Sequence, residues 1–308
     1  MRPLVTGAGG FAGRHLVAHL TDEGDEVLTT DRSSGGPDLL DAEGLTNLIV
    51  DLEPEVVYHL AGQSDAALSW DLPLETIRTN SEGTFNLLEA ARVAGVDRVV
   101  IITSSDVYGK ISSDELPVTE DAPLRPVSPY GLSKAMADLI GSYAFLTYGQ
   151  NVIRARTFNH FGPGQDRNAV CPGLAARIAE CEVANGSSIR VGNLDVKRDL
   201  TDVRDVVRAY RLLAIKGKPG VAYNVCSGVA ISIREVLETL VLHSDCSIRF
   251  ESDPALFRPV DLEVMYGDGT RIRTDTGWFP ERSLEATLLE VLDEWRRRIP
   301  EGTRKEEG

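Results

Sequence analysis

The sequence predicts an α/β protein built on a parallel sheet, and three observations lead to that prediction. Short runs of β-branched residues alternate with helical patterns through the first half of the chain, a rhythm typical of right-handed βαβ units. The first strand, Leu4 to Thr6, leads into a glycine-rich turn and then a helix. The run from Val99 to Ile102 is apolar throughout, as expected for a strand buried on both faces.

The N-terminal turn has the composition of a dinucleotide-binding loop. It contains Gly7, Gly10, Phe11, Ala12 and Gly13, and it reads either as Gly-x-Gly-x-x-Ala or as Gly-x-x-Gly-x-x-Gly. Glycines allow a tight turn and let the backbone approach a pyrophosphate, which then lies at the N-terminus of the helix. Because a strand precedes the turn and an apolar-striped helix follows it, the turn predicts a bound dinucleotide.

The second predicted strand, Glu26 to Thr30, ends in Asp31. An acidic residue at this position accepts hydrogen bonds from an adenosine ribose and repels a 2′-phosphate, which favours NAD. Arg32 and Ser33 follow directly and could instead accommodate that phosphate. The sequence therefore leaves both NAD(H) and NADP(H) open as the cofactor.

The central strand ends in hydroxyl and carboxylate side chains, Ser104, Ser105 and Asp106, at the edge where an open parallel sheet binds its ligands. Tyr130 and Lys134 follow with a spacing of four, which places them on one face of a predicted helix. An ammonium beside a phenol favours the phenolate, so the pKa of the tyrosine is expected to be lowered and the residue is a candidate general acid or base. Together with a serine hydroxyl, this set predicts proton transfer to and from a carbon-bound oxygen.

The elements around this centre are predicted from the same patterns. His59 lies inside a third strand that ends at a turn around Gly62, and we expect a hydrogen-bonded core histidine there. Asn80 is expected to open a helix as its N-cap. The helix from Ser133 to Tyr148 is apolar over a wide arc, which predicts either a helix-bundle contact in a homodimer or ordinary packing on the sheet.

The later part of the chain contains three arginines of interest. A loop rich in glycine and proline at 157–164 marks the exit from the first domain, and residues 221–225 are predicted to form the last strand of the sheet. Arginine forks bind phosphate bidentately. For Arg190 alone a surface salt bridge is the better explanation, whereas Arg198 and Arg258 lie on loops that leave strands and are candidates for a diphosphate site.

Composition excludes several classes of function. The 308 residues carry a net charge of −15, which disfavours binding to nucleic acid or to an anionic membrane. The four cysteines show neither metal-type spacing nor the density of a disulfide scaffold, so we expect a reduced, cytoplasmic protein without a metal site. No apolar run approaches the ~20 residues of a membrane span, and the first strand lies so close to Met1 that no signal or transit peptide is expected.

The chain resembles the extended short-chain dehydrogenases/reductases that act on nucleotide sugars, from Pro3 to about Arg297. The motifs that carry the resemblance are Gly7-x-x-Gly10-x-x-Gly13, Asp38-Leu39, His59-Leu60-Ala61-Gly62, Asn80-x-x-Gly83-Thr84, Ser104-Ser105-Asp106-Val107-Tyr108-Gly109, Tyr130-x-x-x-Lys134, Phe158-Asn159, Arg198-Asp199 and Arg258-Pro259. Within the family, the stretches FNHFGPGQ (158–165), VGNLDVKRDLTDVRDVVRAY (191–210) and YNVCSG (223–228) are similar to the members that reduce the 4-keto group of a GDP-6-deoxy-4-keto-hexose.

The resemblance implies a Rossmann-type doubly wound parallel sheet in residues 1–158, to which about 200–226 return, and a smaller C-terminal α/β substrate domain in 159–308. It implies catalysis by Ser104, Tyr130 and Lys134, with Asp106 as a contact to a substrate hydroxyl or, in a dehydratase, as an acid. The implied cofactor contacts are Gly7, Gly10, Phe11, Ala12, Gly13, Asp31, Arg32, Asp38, Leu39, Leu60, Ala61, Gly62, Asn80, Thr157 and Phe158. The implied contacts to a nucleotide-sugar substrate, GDP-linked by family likeness, are Ser105, Asn159, Arg190, Val191, Arg198 and Arg258.

Three alternatives are considered beside the reductase. GDP-mannose 4,6-dehydratases usually carry Gly-x-Asp-Gly-x-Tyr in the nucleotide loop and Thr-Ser-Glu after the central strand, and both patterns differ here; Asp106 is also one methylene shorter than the glutamate that reaches the C5 proton. A nucleotide-sugar 4-epimerase, which needs only the serine, tyrosine and lysine, is excluded by no motif. Non-catalytic dinucleotide-binding relatives commonly lose the tyrosine or the lysine, and this chain retains both.

Overall fold

Six parallel strands form the central sheet of the computed structural model, which describes residues 1–184, 186–244, 246–257 and 262–306. Strands are numbered along the chain. The sheet contains β1 (Pro3–Thr6), β2 (Leu28–Thr30), β3 (Val56–His59), β4 (Arg98–Ser104), β5 (Val152–Thr157) and β9 (Ala222–Val225), in the order β2-β1-β3-β4-β5-β9. The chain turns from one side of β1 to the other between β2 and β3, so a crevice opens beyond the carboxyl ends of β1 and β3.

Helices cover both faces of the sheet, as the predicted Rossmann-type architecture requires, and that prediction is confirmed. One face is covered by α1 (Phe11–Asp22) and α8 (Val203–Lys216), and the other by α2 (Ala42–Leu52), α5 (Gly83–Val93) and α6 (Pro129–Tyr148). Alternate residues of β4 enter the two cores: Val99 and Ile101 pack on one side and Val100 on the other. This alternation explains why β4 reads as a continuous apolar run.

Short elements connect β3 to α5. They are α3 (Leu68–Asp71), α4 (Pro73–Ile77) and a π-helical turn from Arg78 to Glu82 that continues directly into α5. The expected N-cap role of Asn80 is therefore wrong, because Asn80 lies inside this turn with helical residues on either side. A π-turn inserts an extra residue and changes the direction of its side chains, and such turns are frequent at functional sites.

The later elements form a smaller α/β layer beside the sheet. They are β6 (Asn159–Phe161), α7 (Val170–Val183), β7 (Ser188–Val191), β8 (Lys197–Asp202), β10 (Ala230–Ser232), α9 (Ile233–Leu242), β11 (Arg249–Ser252), β12 (Val264–Met265), α10 (Thr270–Thr276) and α11 (Leu284–Glu306). Strand β8 pairs with β6, β10 and β12, and β7 pairs with β11. Apolar residues of α7, α9 and α11 share one core.

Several predicted boundaries shift in the structure. Helix α6 begins at Pro129 rather than Ser133 because the Ser128 side chain caps it by accepting from the Gly131 amide. Asp41 is the N-cap of α2, since its side chain accepts from the Gly44 amide. Ser232 and Glu235 form a capping box at the start of α9. No helix among the described residues has the length and apolarity needed to cross a bilayer.

Candidate active site

The glycine turn after β1 is shaped to receive a pyrophosphate. Gly7 has a φ of +70°, and a Cβ added to it would lie 2.7 Å from the Ala61 amide nitrogen; one added to Gly13 would collide with the Gly7 carbonyl oxygen. Gly10 is the N-cap of α1 and contributes no side-chain cap. The first turn of α1 therefore presents backbone N–H groups without a capping side chain, which is the arrangement that binds a phosphate group.

Asp31 stands at the ribose end of this turn. Its carboxylate accepts hydrogen bonds from the Ser33 hydroxyl at 2.6 Å, the Ser33 amide at 2.9 Å and the Gly9 amide at 3.2 Å. Those bonds, above all the one from the Ser33 side chain, lower the pKa of Asp31, so the group is ionised at neutral pH. These residues line a groove of about 410 Å³ together with Ala8, Arg14 and Val17, and a carboxylate in such a groove can accept hydrogen bonds from ribose hydroxyls.

Tyr130 lies near the carboxyl end of β4, beside the predicted serine. Burial raises the pKa of Tyr130 well above its ordinary value, and the negative charge of Asp106 raises it further, while hydrogen bonding by the Ser104 side chain acts in the opposite direction. The expectation of a lowered pKa is therefore wrong for the protein without ligands. The phenol is neutral at physiological pH, and it is poised to donate a proton rather than to accept one.

Lys134 explains this difference, because its ammonium does not bind the phenol. The Nζ atom donates to the Ile102 carbonyl oxygen at 3.1 Å and lies 6.0 Å from the centre of the Tyr130 ring. Lys134 belongs to α6 and its side chain is buried in the protein interior. This burial lowers the pKa of Lys134 to about 8. The tyrosine and the lysine share one helix face as predicted, but the ammonium points toward the end of β4.

The pKa of Lys134 predicts the pH dependence of the reaction. Below about pH 8 the ammonium is charged, and above it the charge is lost, so kcat/KM is expected to hold a plateau at neutral pH and to fall through pH 8 as the pH rises. Steady-state rates from pH 6 to 10 measure this profile. A Lys134→Arg variant, whose guanidinium does not titrate in that range, is expected to be slower but to lose the descent near pH 8; an unchanged descent in that variant would assign it to another group.

The turn after β3 is held against the catalytic helix by buried polar side chains. The predicted core role of His59 is confirmed: its ring contacts the Thr6 hydroxyl at 3.0 Å and the Thr84 hydroxyl at 3.1 Å. Burial, and secondarily the charge of Lys134, lowers the pKa of His59 to about 3. Asn80 holds the next residues of the turn, since its Oδ1 accepts from the Gln63 amide at 2.7 Å.

The other predicted cofactor residues differ in their surroundings: some lie at the ends of the central strands, and others pack against helices or other side chains. Ala61 and Gly62 face the glycine turn and Asn80, and Thr157 ends β5 beside Ser104. Leu39 packs against Gly83 of α5, and the exposed side chain of Arg32 pairs with Asp38 at 3.4 Å. The Phe158 side chain is buried in a cluster with Tyr108 and Met265.

The predicted substrate residues are only partly brought together. Asn159 starts β6, next to His160, whose ring stacks on Phe11 of the nucleotide turn at a centroid distance of 6.0 Å. The Arg198 guanidinium donates to the Leu262 carbonyl oxygen at 2.7 Å. Arg190 is mostly exposed and pairs with Asp253 at 3.3 Å, in agreement with the salt-bridge interpretation. Val191 is buried in the core of the smaller layer, and Arg258 lies outside the described residues.

Two residues directly after the glycine turn were not singled out from the sequence. Arg14 donates to the Gly164 carbonyl oxygen at 3.2 Å, and His15 Nε2 lies 2.8 Å from the Pro163 carbonyl oxygen. Glu294 of α11 accepts from the Gly164 amide at 2.8 Å. These contacts hold the loop after β6 against α1. The sequence signal for them is weak, since it consists of two polar side chains directly after Gly13.

The described residues contain no group of three or more histidines, cysteines or acids arranged to hold a metal ion. The geometry of Tyr130, Ser104 and the glycine turn suggests acid–base transfer at Tyr130 near a dinucleotide site. That combination suits the interconversion of an alcohol and a ketone.

Comparison with known proteins identifies relatives that match nearly the whole chain. Residues 4–291 match the family model described as GDP-mannose 4,6 dehydratase. The chain is 36% identical to a GDP-6-deoxy-D-mannose reductase of Pseudomonas aeruginosa, over 97% of this chain and 99% of the relative.

Solved structures of two enzymes also superpose on nearly the whole of this chain. RMD from Pseudomonas aeruginosa, complexed with NADPH, superposes with a TM-score of 0.88 at 35% identity, covering 97% of this chain and 99% of that one. A Thermus thermophilus UDP-glucose 4-epimerase in complex with NAD superposes with a TM-score of 0.85 at 28% identity, covering 97% and 100%.

Proposed function

Since the chain belongs to the GDP-mannose 4,6-dehydratase family of extended short-chain dehydrogenases/reductases, we propose that it is a reductase of nucleotide sugars. The reaction is the NAD(P)H-dependent reduction of the 4-keto group of a GDP-6-deoxy-4-keto-hexose, which converts GDP-4-keto-6-deoxymannose to GDP-rhamnose. The reductase of Pseudomonas aeruginosa supports this choice of substrate, because it is similar to this chain over nearly the whole length of both proteins.

The similarity to the Pseudomonas aeruginosa reductase over nearly the whole length of both chains is the observation that carries the proposal, and the state of Tyr130 agrees with it. A ketone reduction needs a proton donor at the carbonyl oxygen, whereas the oxidation that begins a dehydratase or an epimerase cycle needs a base there. Burial and the charge of Asp106 both raise the pKa of Tyr130. The neutral phenol can therefore supply the proton that a ketone reduction requires.

Each catalytic residue has a defined task in this scheme. A bound reduced nicotinamide supplies the hydride to C4. Tyr130 gives its phenolic proton to the developing oxyanion, and Ser104 hydrogen-bonds the same oxygen. Lys134 carries the positive charge that favours the resulting phenolate and binds the nicotinamide ribose. Asp106 contacts a hydroxyl of the sugar, and it is one methylene too short for the C5 proton abstraction of a dehydratase.

The proposed substrate site lies between residues 1–158, with 200–226 returning to them, and residues 159–308. Asn159 and Arg198 are proposed to contact the diphosphate, Ser105 the sugar, and Arg190 and Val191 the region of the base. Arg198 lies on β8, two residues before the position that pairs with Asn159 at the start of β6, and its guanidinium can exchange the Leu262 carbonyl oxygen for a phosphate oxygen. A role for Arg258 in the same site is proposed from its motif alone.

The test follows absorbance at 340 nm with purified protein and GDP-4-keto-6-deoxymannose, with NADH and NADPH in parallel. Oxidation of either coenzyme, with a GDP-6-deoxyhexose as product, is the expected result. Formation of a 4-keto product from GDP-mannose and NAD(P)⁺ would instead identify a dehydratase, and interconversion of 4-epimers without net coenzyme oxidation would identify an epimerase. Coenzyme binding without turnover of any of these sugars would favour a non-catalytic protein.

Asp31 is expected to set the coenzyme preference. Its carboxylate is ionised, since hydrogen bonds from Ser33 and Gly9 lower its pKa, and it repels a 2′-phosphate while accepting from ribose hydroxyls. An Asp31→Asn variant is expected to raise the ratio of kcat/KM for NADPH over NADH by roughly tenfold, because one repulsive charge is removed. Asp51→Asn, a change at an exposed position of α2, is the control; an equal ratio in both variants would contradict the assignment.

We also propose that α6 mediates a homodimer. Leu132, Met136, Leu139, Tyr143 and Leu146 follow the 4-3-4-3 spacing of a coiled-coil seam, and each is at least partly exposed, Leu146 at 76%. This spacing places all five side chains on one helix face. A second copy of the chain presents the same face, so an antiparallel pairing of two α6 helices covers both.

The dimer prediction is tested by light scattering after size-exclusion chromatography. Leu139→Glu buries two charges at the centre of the proposed contact and is expected to give a monomer. Leu242→Glu places the same charge at an exposed position of α9 and is expected to leave the dimer intact. A monomeric wild-type protein at micromolar concentration would rule out the contact.

A cytoplasmic location is proposed from the cysteines. All four are free, and Cys171, Cys181 and Cys226 are buried. Unpaired cysteines are typical of reducing compartments.

A further inference from the structure

A line of buried hydrogen bonds connects the turn after β3 to α5 and to the π-turn before it. The turn after β3, residues 61–63, is called the coenzyme loop below. The Ala61 amide donates to Thr6 Oγ1 at 3.2 Å, and Thr6 Oγ1 lies 3.0 Å from His59 Nδ1. His59 Nε2 lies 3.1 Å from Thr84 Oγ1, which donates to the Asn80 carbonyl oxygen at 2.6 Å. Thr6, His59, Asn80 and Thr84 are each at most 4% exposed, so these bonds lie in the interior of the protein.

Counting the hydrogens fixes the tautomer of His59. The Asn80 carbonyl oxygen can only accept, so it takes the single hydroxyl hydrogen of Thr84. Thr84 Oγ1 must therefore accept from His59, and Nε2 carries the hydrogen. Nδ1 is then the acceptor, and Thr6 donates to it while accepting from Ala61. Every donor and acceptor is used once, and all the bonds run in one direction along the line.

The same line reaches the catalytic helix through the Asn80 side chain. Asn80 Nδ2 donates to the Gln63 carbonyl oxygen and to Ser133 Oγ, both at 2.9 Å. Ser133 Oγ in turn donates to the Tyr130 carbonyl oxygen at 2.7 Å. A Cβ added to Gly62 would lie 2.6 Å from Asn80 Oδ1 and 3.9 Å from Lys134 Nζ. Asn80 therefore fixes the coenzyme loop beside the Lys134 ammonium and, through Ser133, links it to the backbone of Tyr130.

We propose that His59 is a positioning residue, held as the neutral Nε2–H tautomer, that transmits the position of the coenzyme loop through Thr84 and Asn80 to Tyr130. The inference rests on the proposed function, in which Tyr130 is the proton donor. His59 touches neither substrate nor coenzyme in this scheme. Its task is to keep the π-turn that carries Asn80 in one orientation, because aligned buried hydrogen bonds strengthen one another and resist rotation of their members.

The tautomer can be observed directly without any turnover. Protein labelled with ¹⁵N at its five histidines is examined by long-range ¹H–¹⁵N correlation at neutral pH, and the His59 signals are assigned by their loss in His59→Asn. The expected pattern is a neutral ring with the hydrogen on Nε2. A ring protonated on Nδ1, or on both nitrogens, would overturn the inference whatever reaction the protein catalyses.

Two pairs of variants test which atom donates and which accepts in the hydrogen bonds of His59. Thr84→Val removes the acceptor of Nε2–H, so the hydrogen is expected to move to Nδ1, where Thr6 Oγ1 can accept it. Thr6→Val removes the opposite partner, and the Nε2–H tautomer is expected to persist. Thr84→Ser and Thr6→Ser retain the hydroxyls and should match the wild type. An unchanged tautomer in Thr84→Val, or a switched one in Thr6→Val, would contradict the assigned hydrogens.

Kinetics then separate positioning from general stability. Thr84→Val is expected to lower kcat about tenfold, since a buried donor and a buried acceptor lose their partners, with the Kd of the coenzyme within about twofold of wild type. Thr84→Ser is expected to restore kcat. A Thr84→Val enzyme with wild-type kcat, or one whose loss Thr84→Ser does not rescue, would show that the line does not act on Tyr130. If Thr84→Val does not fold, the proposal is tested by the tautomer of the wild-type protein and by the tautomers of Thr6→Val and Thr6→Ser.

Discussion

A Tyr130→Phe enzyme is expected to lose about 10²- to 10⁴-fold in kcat, the range that general acid–base catalysis supplies. The ring of phenylalanine fills the same space beside Ser104, so the backbone of α6 and the Ser133 bond to residue 130 are preserved. What disappears is the proton that the buried, neutral phenol delivers to the substrate oxygen. Coenzyme affinity, measured by fluorescence titration with NADH or NADPH, is expected to change by no more than about twofold.

The matched control for this change is Tyr148→Phe. Tyr148 ends the same helix, is exposed, and shares a hydrogen bond only with the neighbouring Tyr143 hydroxyl among the bonds that the structure gives it. Its loss should leave kcat near the wild-type value. If Tyr130→Phe retained more than a tenth of wild-type kcat, another group would have to supply the proton, and the proposed mechanism would fail.

An Asp138→Ala protein is expected to be severely destabilised. Asp138 lies one turn beyond Lys134 on α6 and is completely buried. Its carboxylate accepts from Arg154 at 2.7 Å and from Arg156 at 2.8 and 2.9 Å. Removing it leaves two guanidinium groups together in the interior without their counter-charge, and breaking such a buried pair costs about 3–5 kcal/mol of the free energy of unfolding.

The effect is measured as a loss in Tm on the order of 10 °C by calorimetry or circular dichroism. Glu82→Ala provides the control, since Glu82 pairs with Arg78 on the surface of the π-turn and its removal should leave Tm within about 2 °C of wild type, because exposed ion pairs contribute little. Equal Tm values for the two variants would mean that the buried cluster does not hold α6 in place.

The polar residues at the ends of the strands were predictable because their signals are local. The glycine turn, Asp31 after β2, Ser104 after β4 and the spacing of Tyr130 and Lys134 can each be read within a few residues of sequence. Periodicity placed the strands in a parallel sheet, since buried strands carry continuous apolar runs. These features led to the fold and to the acid–base chemistry before any contact between distant residues was known.

The limits of the sequence appear where a property depends on several distant groups. The pattern of Tyr130 and Lys134 suggested a lowered phenol pKa, yet burial and Asp106 raise it, and the ammonium is drawn to Ile102. Asn80 resembled a helix cap because a π-turn cannot be recognised from neighbouring residue types. The sequence could not indicate it, since the turn is stabilised by contacts with Gln63 and Ser133.

The sequence by itself predicted the fold class, the glycine turn after β1 and the placement of Tyr130 and Lys134 on one helix face, because periodicity and short-range spacing specify them. Only the tertiary structure decided the burial of Tyr130, the hydrogen-bond partners of the His59 ring and the contact of Arg14 with Gly164. Those properties depend on hydrogen bonds between residues 25 to 150 positions apart and on burial from water. Both arise only when the strands and helices pack together, since desolvation is a property of the assembled interior and not of any one segment.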